Sequence, residues 1–249
     1  MAETGASGQE SQRSKPVLID GSSYSASGGL VRTALLASAL SGKAVSITNI
    51  CAGRDDNPGL SEPLVAFTEA MAACTDAELK GVGKGADTLT FIPKKPFSPP
   101  RKFSLDLGGH HSIALTLMPF AIAGLHTPKK MTLSVTGMTH GRNAPTMDVL
   151  KEYLLRPLMP YADECTLSIN KVAFYPDHDG SVTLTINGKH ELDKNSPSFS
   201  FTPAYDLVAI RGKLLASKEL SDKNLLERIE QLLRLAYREK QVPLVIDTN

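Results

Sequence analysis

The spacing of apolar residues changes several times along the chain, and each change marks an element. Val17, Leu18 and Ile19 form a short apolar run that stops at Asp20-Gly21, which predicts a strand. Residues 22–29 are almost all Ser, Gly and Ala, with Tyr24 the exception, and read as a loop. From Leu30 the apolar residues fall at 30, 31, 34 and 35, the spacing of a helix with one buried face, and Gly42-Lys43 is its stop. Val45 and Ile47 then alternate with Ser46 and Thr48 in a strand within 44–50. A polar loop covers 51–60. Ser61 stands as N-cap to a helix over 62–74, with Leu64, Val65, Phe67, Ala70 and Met71 facing inward. Strands near 77–82 and 87–93 complete the order β-α-β-α-β-β.

A Pro- and Lys-rich connector, 94–102, precedes a second run in the same order. The elements expected are a strand at 103–107, a turn at 108–111, a helix over 112–124 interrupted at Pro119, and a strand at 131–137. A loop follows at 141–145, then a helix over 146–161 with Val149, Leu150, Tyr153, Leu154 and Leu158 inward, and strands at 165–172 and 181–186. Gly53-Arg54 in the first loop recurs as Gly141-Arg142 in the second, an offset of 88 residues. That is too long for a solenoid repeat and fits a duplicated half-domain of the α/β class, with crossover helices on a sheet. Beyond a polar linker at 187–197, strands are expected at 199–201, 207–211 and 242–246. An amphipathic helix over 222–240 carries Leu225, Leu226, Ile229, Leu232, Leu233 and Ala236 on one side and an i,i+4 pair, Glu230 with Arg234, on the other. The domains so defined are a tail, 1–15, a first βαβαββ repeat, 16–93, a second, 101–188, and a smaller α/β segment, 198–249.

Composition narrows the function. A net charge of +1 supplies no global attraction to nucleic acid, so any polyanion site must be local. Cys51, Cys74 and Cys165, the only three cysteines, are too few and too scattered for a disulfide framework or a zinc pattern, which favours a reducing compartment. Residues 1–14 are polar and lack the apolar core of a signal peptide, and the apolar run 113–125 is too short to cross a bilayer. A nuclear or cytoplasmic protein is expected, with no membrane partner. The small-residue loop feeding the first helix is the first candidate for phosphate binding, since backbone N–H groups at such a turn approach an anion closely; a turn that binds nothing is the plainer alternative.

Five blocks of residues, in order, resemble the RNA 3'-terminal phosphate cyclases. Ile19-Asp20-Gly21-Ser22 and Arg32-Thr33 match the family's I-D-G-S-x-G-E-G-G-G-Q-I-x-R-T. Gly42-Lys43, Val45, Ile47, Ile50, Ala52-Gly53-Arg54 and Pro58-Gly59-Leu60 match T-G-K-P-V-x-I-x-x-I-R-A-G-R-x-x-P-G-L. Gly137, Thr139, Ala144, Pro145 and Asp148 echo a third block, Phe174-Tyr175-Pro176, Gly180 and Val182 a fourth, and Arg211-Gly212 a fifth. The resemblance implies βαβαββ repeats with part of a small inserted α/β domain. It also implies ATP with magnesium or manganese as cofactors and RNA 3' ends as substrate. A histidine is adenylated, AMP passes to the RNA 3'-phosphate, and the 2'-hydroxyl closes a 2',3'-cyclic phosphate.

The departures from that pattern fall on its chemistry. The family's loop glutamate is Ser25, its glycines are Tyr24, Ala26, Ser27 and Gly28, and the glutamine after them is Gly29. The arginine opening R-A-G-R is Cys51, and the glutamine beyond P-G-L falls at Pro63. The second repeat's turn is shortened to Gly109-His110-His111-Ser112, and the late element holding the nucleophilic histidine has no counterpart. By resemblance the nucleotide or phosphate would lie against Asp20, Gly21, Gly28, Arg32 and Arg54. Arg142 takes the place of Arg54 in the second repeat, and Lys94 and Lys95, in the basic connector with Arg101 and Lys102, are candidates for RNA phosphate, a solvated linker being the plainer reading. His110 is the candidate surrogate nucleophile, although paired histidines in a turn are ordinarily just exposed. His140, His178 and His190 lie in loops without a partner pattern. The expectation is a cyclase-like RNA-processing protein with weakened or lost catalysis, acting on RNA or on ribosome-assembly and RNA-processing proteins and not on DNA. The alternative is an active cyclase.

Overall fold

The computed structural model describes residues 15–23, 27–54, 57–108, 111–127, 129–141, 144–175, 179–189, 209–216, 223–238 and 243–248. The chain divides into two compact units, 1–196 and 197–249.

The first unit holds two four-stranded sheets. One is built from β1 (Val17–Asp20), β2 (Val45–Thr48), β3 (Glu78–Lys80) and β4 (Leu89–Ile92), with α1 (Gly28–Ser41) and α2 (Glu62–Thr75) between them. The other is built from β5 (Lys102–Asp106), β6 (Met131–Gly137), β7 (Ala162–Lys171) and β8 (Gly180–Gly188), with α3 (Ile113–Leu125) and a second helical stretch, α4, opening at Met147–Val149. Strand orders are β1-β2-β4-β3 and β5-β6-β8-β7. In each sheet the first two strands are parallel and the other pairings antiparallel. A parallel pair needs a crossover, which α1 and α3 supply.

The turn after the first strand is tied the same way in both sheets. Asp20 Oδ1 accepts from Ser22 N (2.9 Å) and from Asn49 Nδ2 (2.9 Å), just past β2. Asp106 Oδ1 accepts from Gly108 N (3.1 Å) and from Thr136 Oγ1 (2.8 Å) on β6. Each is an Asx turn, a side chain standing in for a backbone acceptor. The inner faces of both sheets and of α1, α2 and α3 share one core, where Phe120 of α3 meets Phe67 of α2 edge-on at 5.5 Å and Phe103 of β5 at 5.8 Å. This aromatic contact joins the halves.

Two local expectations are corrected, and a third, Ser61 as the N-cap of α2, holds in position. α3 runs unbroken through Pro119, which is buried, so only the bond that residue 119 would have given to the Leu115 carbonyl is lost. Ser61 occupies the N-cap of α2 but its hydroxyl makes no capping bond. Val149 (40% exposed) and Tyr153 (73%) do not face inward. After its opening turn, where Val149 N donates to Thr146 Oγ1 (3.3 Å), the stretch winds as a π-helix over Leu150–Leu155 and a 3-10 helix over Arg156–Tyr161. In a π turn residues five apart share a face, so Leu150 and Leu155 are the buried pair where a 3.6-residue period would place Tyr153.

The second unit contains β9 (Ile210–Leu214), α5 (Lys223–Tyr237) and β10 (Leu244–Thr248), a βαβ arrangement with β9 and β10 parallel. Arg234 pairs with Glu230 at 2.7 Å and also donates from Nη1 to the Leu244 carbonyl (3.2 Å). Leu226, Ile229 and Leu233 are half-buried, whereas Leu225, Leu232 and Ala236 of the expected apolar side are exposed. The strand expected at 199–201 lies outside the described residues.

Candidate functional site, an anion-receptive cavity

The helices of the first unit begin at one place. A cavity of about 520 Å³ is lined by Gly28 at the start of α1, Ser61 to Leu64 at the start of α2, and Ser112 with Leu115 at the start of α3. None of the three N-cap serines, Ser27, Ser61 or Ser112, accepts a capping bond through its side chain. The positive ends of the helix dipoles bias the cavity towards anions, although the N–H groups of Leu30, Leu64 and Ile113 already donate to backbone carbonyls and Pro63 has none.

Arg32 and Arg54 complete that bias. Arg32 lies one helical turn beyond Gly28 and lines the cavity with Arg54. Its Nε is buried without a hydrogen-bond partner. Burial pushes the guanidinium down from its usual 12.5 to about 10; the neighbouring Arg54 charge adds to the fall and Cys51 opposes it. Gly28 leaves room for this group, since a Cβ there would stand 3.3 Å from Arg32 Nη1 and 3.0 Å from Leu64 Cδ1. Arg54 is aimed by a tight turn in which Asn49 and Cys51 both take φ 52° and Arg54 N donates to the Cys51 carbonyl (3.1 Å). Cys51 is only 2% exposed, so the position where the family has an arginine is filled here by a core thiol.

The cavity wall depends on one further glycine. Gly59, at φ 82°, donates to the Ile50 carbonyl (2.8 Å), and a Cβ on it would run into the backbone at Gly85. Only glycine fits both the backbone angle and the contact. Gly85 and Lys84 form part of the rim, where Lys84 Nζ meets Glu62 Oε1 at 2.7 Å. The Lys84 hydrogen bond and its charge hold the Glu62 carboxyl below the usual carboxylate range. Opposite, from the second sheet, come His111, Ser112, Met138 and Ala144. The His111-Ser112 turn is fixed on the end of β6, with Met138 N donating to the His111 carbonyl (2.9 Å) and Ile113 N to the Met138 carbonyl (3.0 Å).

Of the residues singled out in the sequence, the structure brings Gly28, Arg32 and Arg54 together. Asp20 and Gly21 stand apart, in the turn that ends β1. The Asn49 and Ser22 hydrogen bonds hold the Asp20 carboxyl below its usual range, and a Cβ on Gly21 would stand 2.8 Å from the Asn49 carbonyl oxygen. Both shape the turn. Lys94 and Lys95 lie at the C-terminal end of α2, where their N–H groups donate to the Thr75 carbonyl (3.2 and 3.1 Å). Arg142 and His110 lie outside the described residues, as do Tyr24, Ser25 and Ala26. His140 does have partners. Its Nδ1 is 2.9 Å from Thr139 Oγ1, its Nε2 is 3.5 Å from Asp148 Oδ2, and its ring lies on Phe174 at 4.8 Å. Asp148 opens α4 eight residues on, a spacing that no short motif records.

The phosphates of a nucleotide fit this donor set, for the buried, unpartnered Nε of Arg32 is what a phosphate oxygen would satisfy. No cluster of three His, Cys, Asp or Glu able to hold a metal exists among the described residues.

A duplicated α/β sheet architecture with an anion-receptive cavity between its halves is the class defined so far. A model of the RNA 3'-terminal phosphate cyclase family matches residues 24–241. An RNA 3'-terminal phosphate cyclase of Archaeoglobus fulgidus is 34% identical over 168 residues, 68% of this chain and 50% of the relative. That of Methanococcoides burtonii is 34% identical over 172 residues, 69% and 51%. That of Methylococcus capsulatus is 32% identical over 210 residues, 80% and 55%. The chain belongs to the RNA 3'-terminal phosphate cyclase family. It spans about half the length of the curated relatives it matches.

Proposed function

We propose that the cavity takes the phosphate of an RNA 3' end or of ATP, and that the chain is a cyclase-like RNA-processing protein whose ring-closing activity is weakened or lost. One observation carries this: a buried guanidinium, Arg32, whose Nε has no partner, set beside Arg54 where three helices begin. Two cations sharing a pocket repel each other, and a bound phosphate turns that cost into charge-assisted hydrogen bonds. The loss of catalysis rests on residue types. Ser25 stands for the family's glutamate, Cys51 for an arginine and Pro63 for a glutamine, and groups that act as a unit lose orders of magnitude when members are missing. The proposed setting is RNA maturation in the nucleus or cytoplasm, alongside ribosome-assembly or RNA-processing proteins.

The active reading has one observation in its favour, His111 on the cavity wall facing the arginine side. An active enzyme would form a histidine–AMP bond with release of pyrophosphate, pass AMP to the 3'-phosphate, and release AMP as the 2'-hydroxyl attacks. Incubation with α-labelled ATP and magnesium or manganese, then a denaturing gel, separates the two. The expected result is no covalent AMP, together with binding of 3'-phosphorylated RNA that an Arg32→Met variant loses. A labelled band that disappears in His111→Ala or His110→Ala would establish the active reading. Equal binding of RNA with and without a 3'-phosphate would remove the phosphate assignment.

A further inference from the structure

The far ends of α1, α2 and α3 gather cations. Lys43 follows α1, and the α1 end, Ala39 to Gly42, shares a shallow depression of about 240 Å³ with Pro93, Lys94, Lys95 and Pro96. Lys94 and Lys95 are held at the α2 end through the Thr75 carbonyl, and Ser98 N donates to the Cys74 carbonyl next to it (2.8 Å). Lys129, shortly after α3, donates from Nζ to Ser98 Oγ (3.1 Å). Arg101 accepts through its carbonyl from Thr132 N (2.9 Å), and Lys102 stands opposite Thr132 in the sheet. These hydrogen bonds and strand pairings place Lys43, Lys94, Lys95, Arg101, Lys102 and Lys129 on one end of the unit. All six are exposed and none is in an ion pair among the described residues.

Cations near helix C-termini have an ordinary use, since each end carries about −0.5 charge. Three ends call for about 1.5 positive charges, and six are present. The nearby carboxylates include Asp76, at the α2 C-cap, Glu78, opposite Ile92 in the sheet and paired with Lys80 at 3.5 Å, and Glu164, held by Lys130 at 2.6 Å. The surplus is local, for the whole chain carries only +1.

We propose that this helix-end face is a second, sequence-independent contact for RNA, gripping the phosphate backbone of a strand whose 3' end lies in the cavity. It rests on the reading that the cavity takes an RNA end. Helices of 13 and 14 residues separate the sites by about 20 Å at 1.5 Å per residue. At the stacked rise of about 3.4 Å per nucleotide that a duplex strand has, on the order of six nucleotides bridge them. RNA fits better than an acidic protein because the cations are spread along the chain of contacts from α1 to β5 at no single pocket, which suits evenly spaced backbone charge.

The test uses the whole chain and two 3'-phosphorylated RNAs of the same 3' sequence, about four and about twenty nucleotides long, titrated across a salt series. The longer RNA should bind more tightly, with a steeper salt dependence. A K94E/K95E/K129E variant should bind it at least about tenfold more weakly near 0.1 M salt, with the log–log slope reduced by about 2. Binding of the short RNA should not change, which also shows that the variant is folded. A milder K94Q/K95Q variant should fall between. Unchanged affinity for the long RNA would overturn the second contact, and so would equal losses for both RNAs. Competition by polyglutamate as strong as by long RNA would overturn the RNA assignment in favour of an acidic protein. Failure of wild type to bind either RNA would remove the cavity reading and this one with it, whereas short-RNA binding alone leaves the cavity and removes the face.

Discussion

The two halves of the first unit have the same strand order, the same strand senses and the same aspartate-tied turn, yet they differ at the fifth residue of the crossover helix. In α1 that residue is Arg32, a half-buried cation with a fully buried Nε, lining the cavity. In α3 it is Leu117, 1% exposed and part of the core. The rim repeats the difference, with Arg54 and Lys84 from the first half facing His111, Ser112, Met138 and Ala144 from the second. One topology has thus been used twice, once to hold charge at some cost in stability and once to hold the fold.

The comparison is broken most severely at the aromatic joint. Phe120 is fully buried against Phe67 of the first half, and Phe120→Ala should cost about 3–5 kcal/mol in urea unfolding. A loss below about 1 kcal/mol would mean that the halves are held by something else. Next come two substitutions of opposite character. Leu117→Ala should cost about 2–5 kcal/mol in stability and leave phosphate affinity unchanged. Arg32→Met should raise stability by about 1–3 kcal/mol, because an unpartnered buried charge is removed. It should also weaken phosphate binding tens- to over a hundredfold, the worth of about 1.5–3 kcal/mol for a hydrogen bond to a charged group. Equal loss of stability in both variants would erase the distinction between a binding half and a structural half.

A pH titration sharpens the same point. The folded-state pKa of Arg32 is lowered, so below about 10 the buried group is charged, which opposes folding and favours an anion. Above about 10 it becomes neutral, the opposition is relieved and the anion's partner is lost. Phosphate affinity should therefore fall as pH rises through about 10, more steeply in wild type than in Arg32→Met. A flat profile from pH 8 to about 11 would show that Arg32 does not meet the anion.

Much of this was legible in the sequence. Period-2 and period-3.6 patterns located α1, β2, α2 and β6 closely, because each buries one clean face, whereas β1 was bounded only by its apolar run and the Asp20-Gly21 stop and leaves Val17 and Leu18 exposed. The stretch at 147–161 was misread because a π turn changes which residues share a face, and nothing local in Leu150–Leu155 announces it. Gly28, Arg32 and Arg54 were found through motif positions, but the reason they belong together is tertiary. Three helix starts meet there, two from the first half and one from the second. Asp20 stands out in the sequence through the family motif, and in the structure its carboxylate ties a turn, since a carboxylate two residues before a backbone N–H satisfies it locally. His140 was passed over because its partners, Asp148 and Phe174, come from separate segments.

The smallest expected effect lies at the rim. Lys84 and Glu62 form an exposed pair, and such pairs contribute little to stability, so neither substitution should change the unfolding midpoint noticeably. Their effect on an arriving anion should be visible and opposite in sign. Lys84→Gln leaves the Glu62 carboxylate uncompensated at the mouth and should weaken phosphate binding about two- to fivefold at low salt. Glu62→Gln keeps the ammonium, removes the carboxylate and should strengthen binding by a similar factor, and both changes should fade as salt shortens the range of the field. If both variants instead weaken binding and salt makes no difference, the pair acts by holding the rim's shape. The first half would then owe its charge selectivity to Arg32 and Arg54 alone.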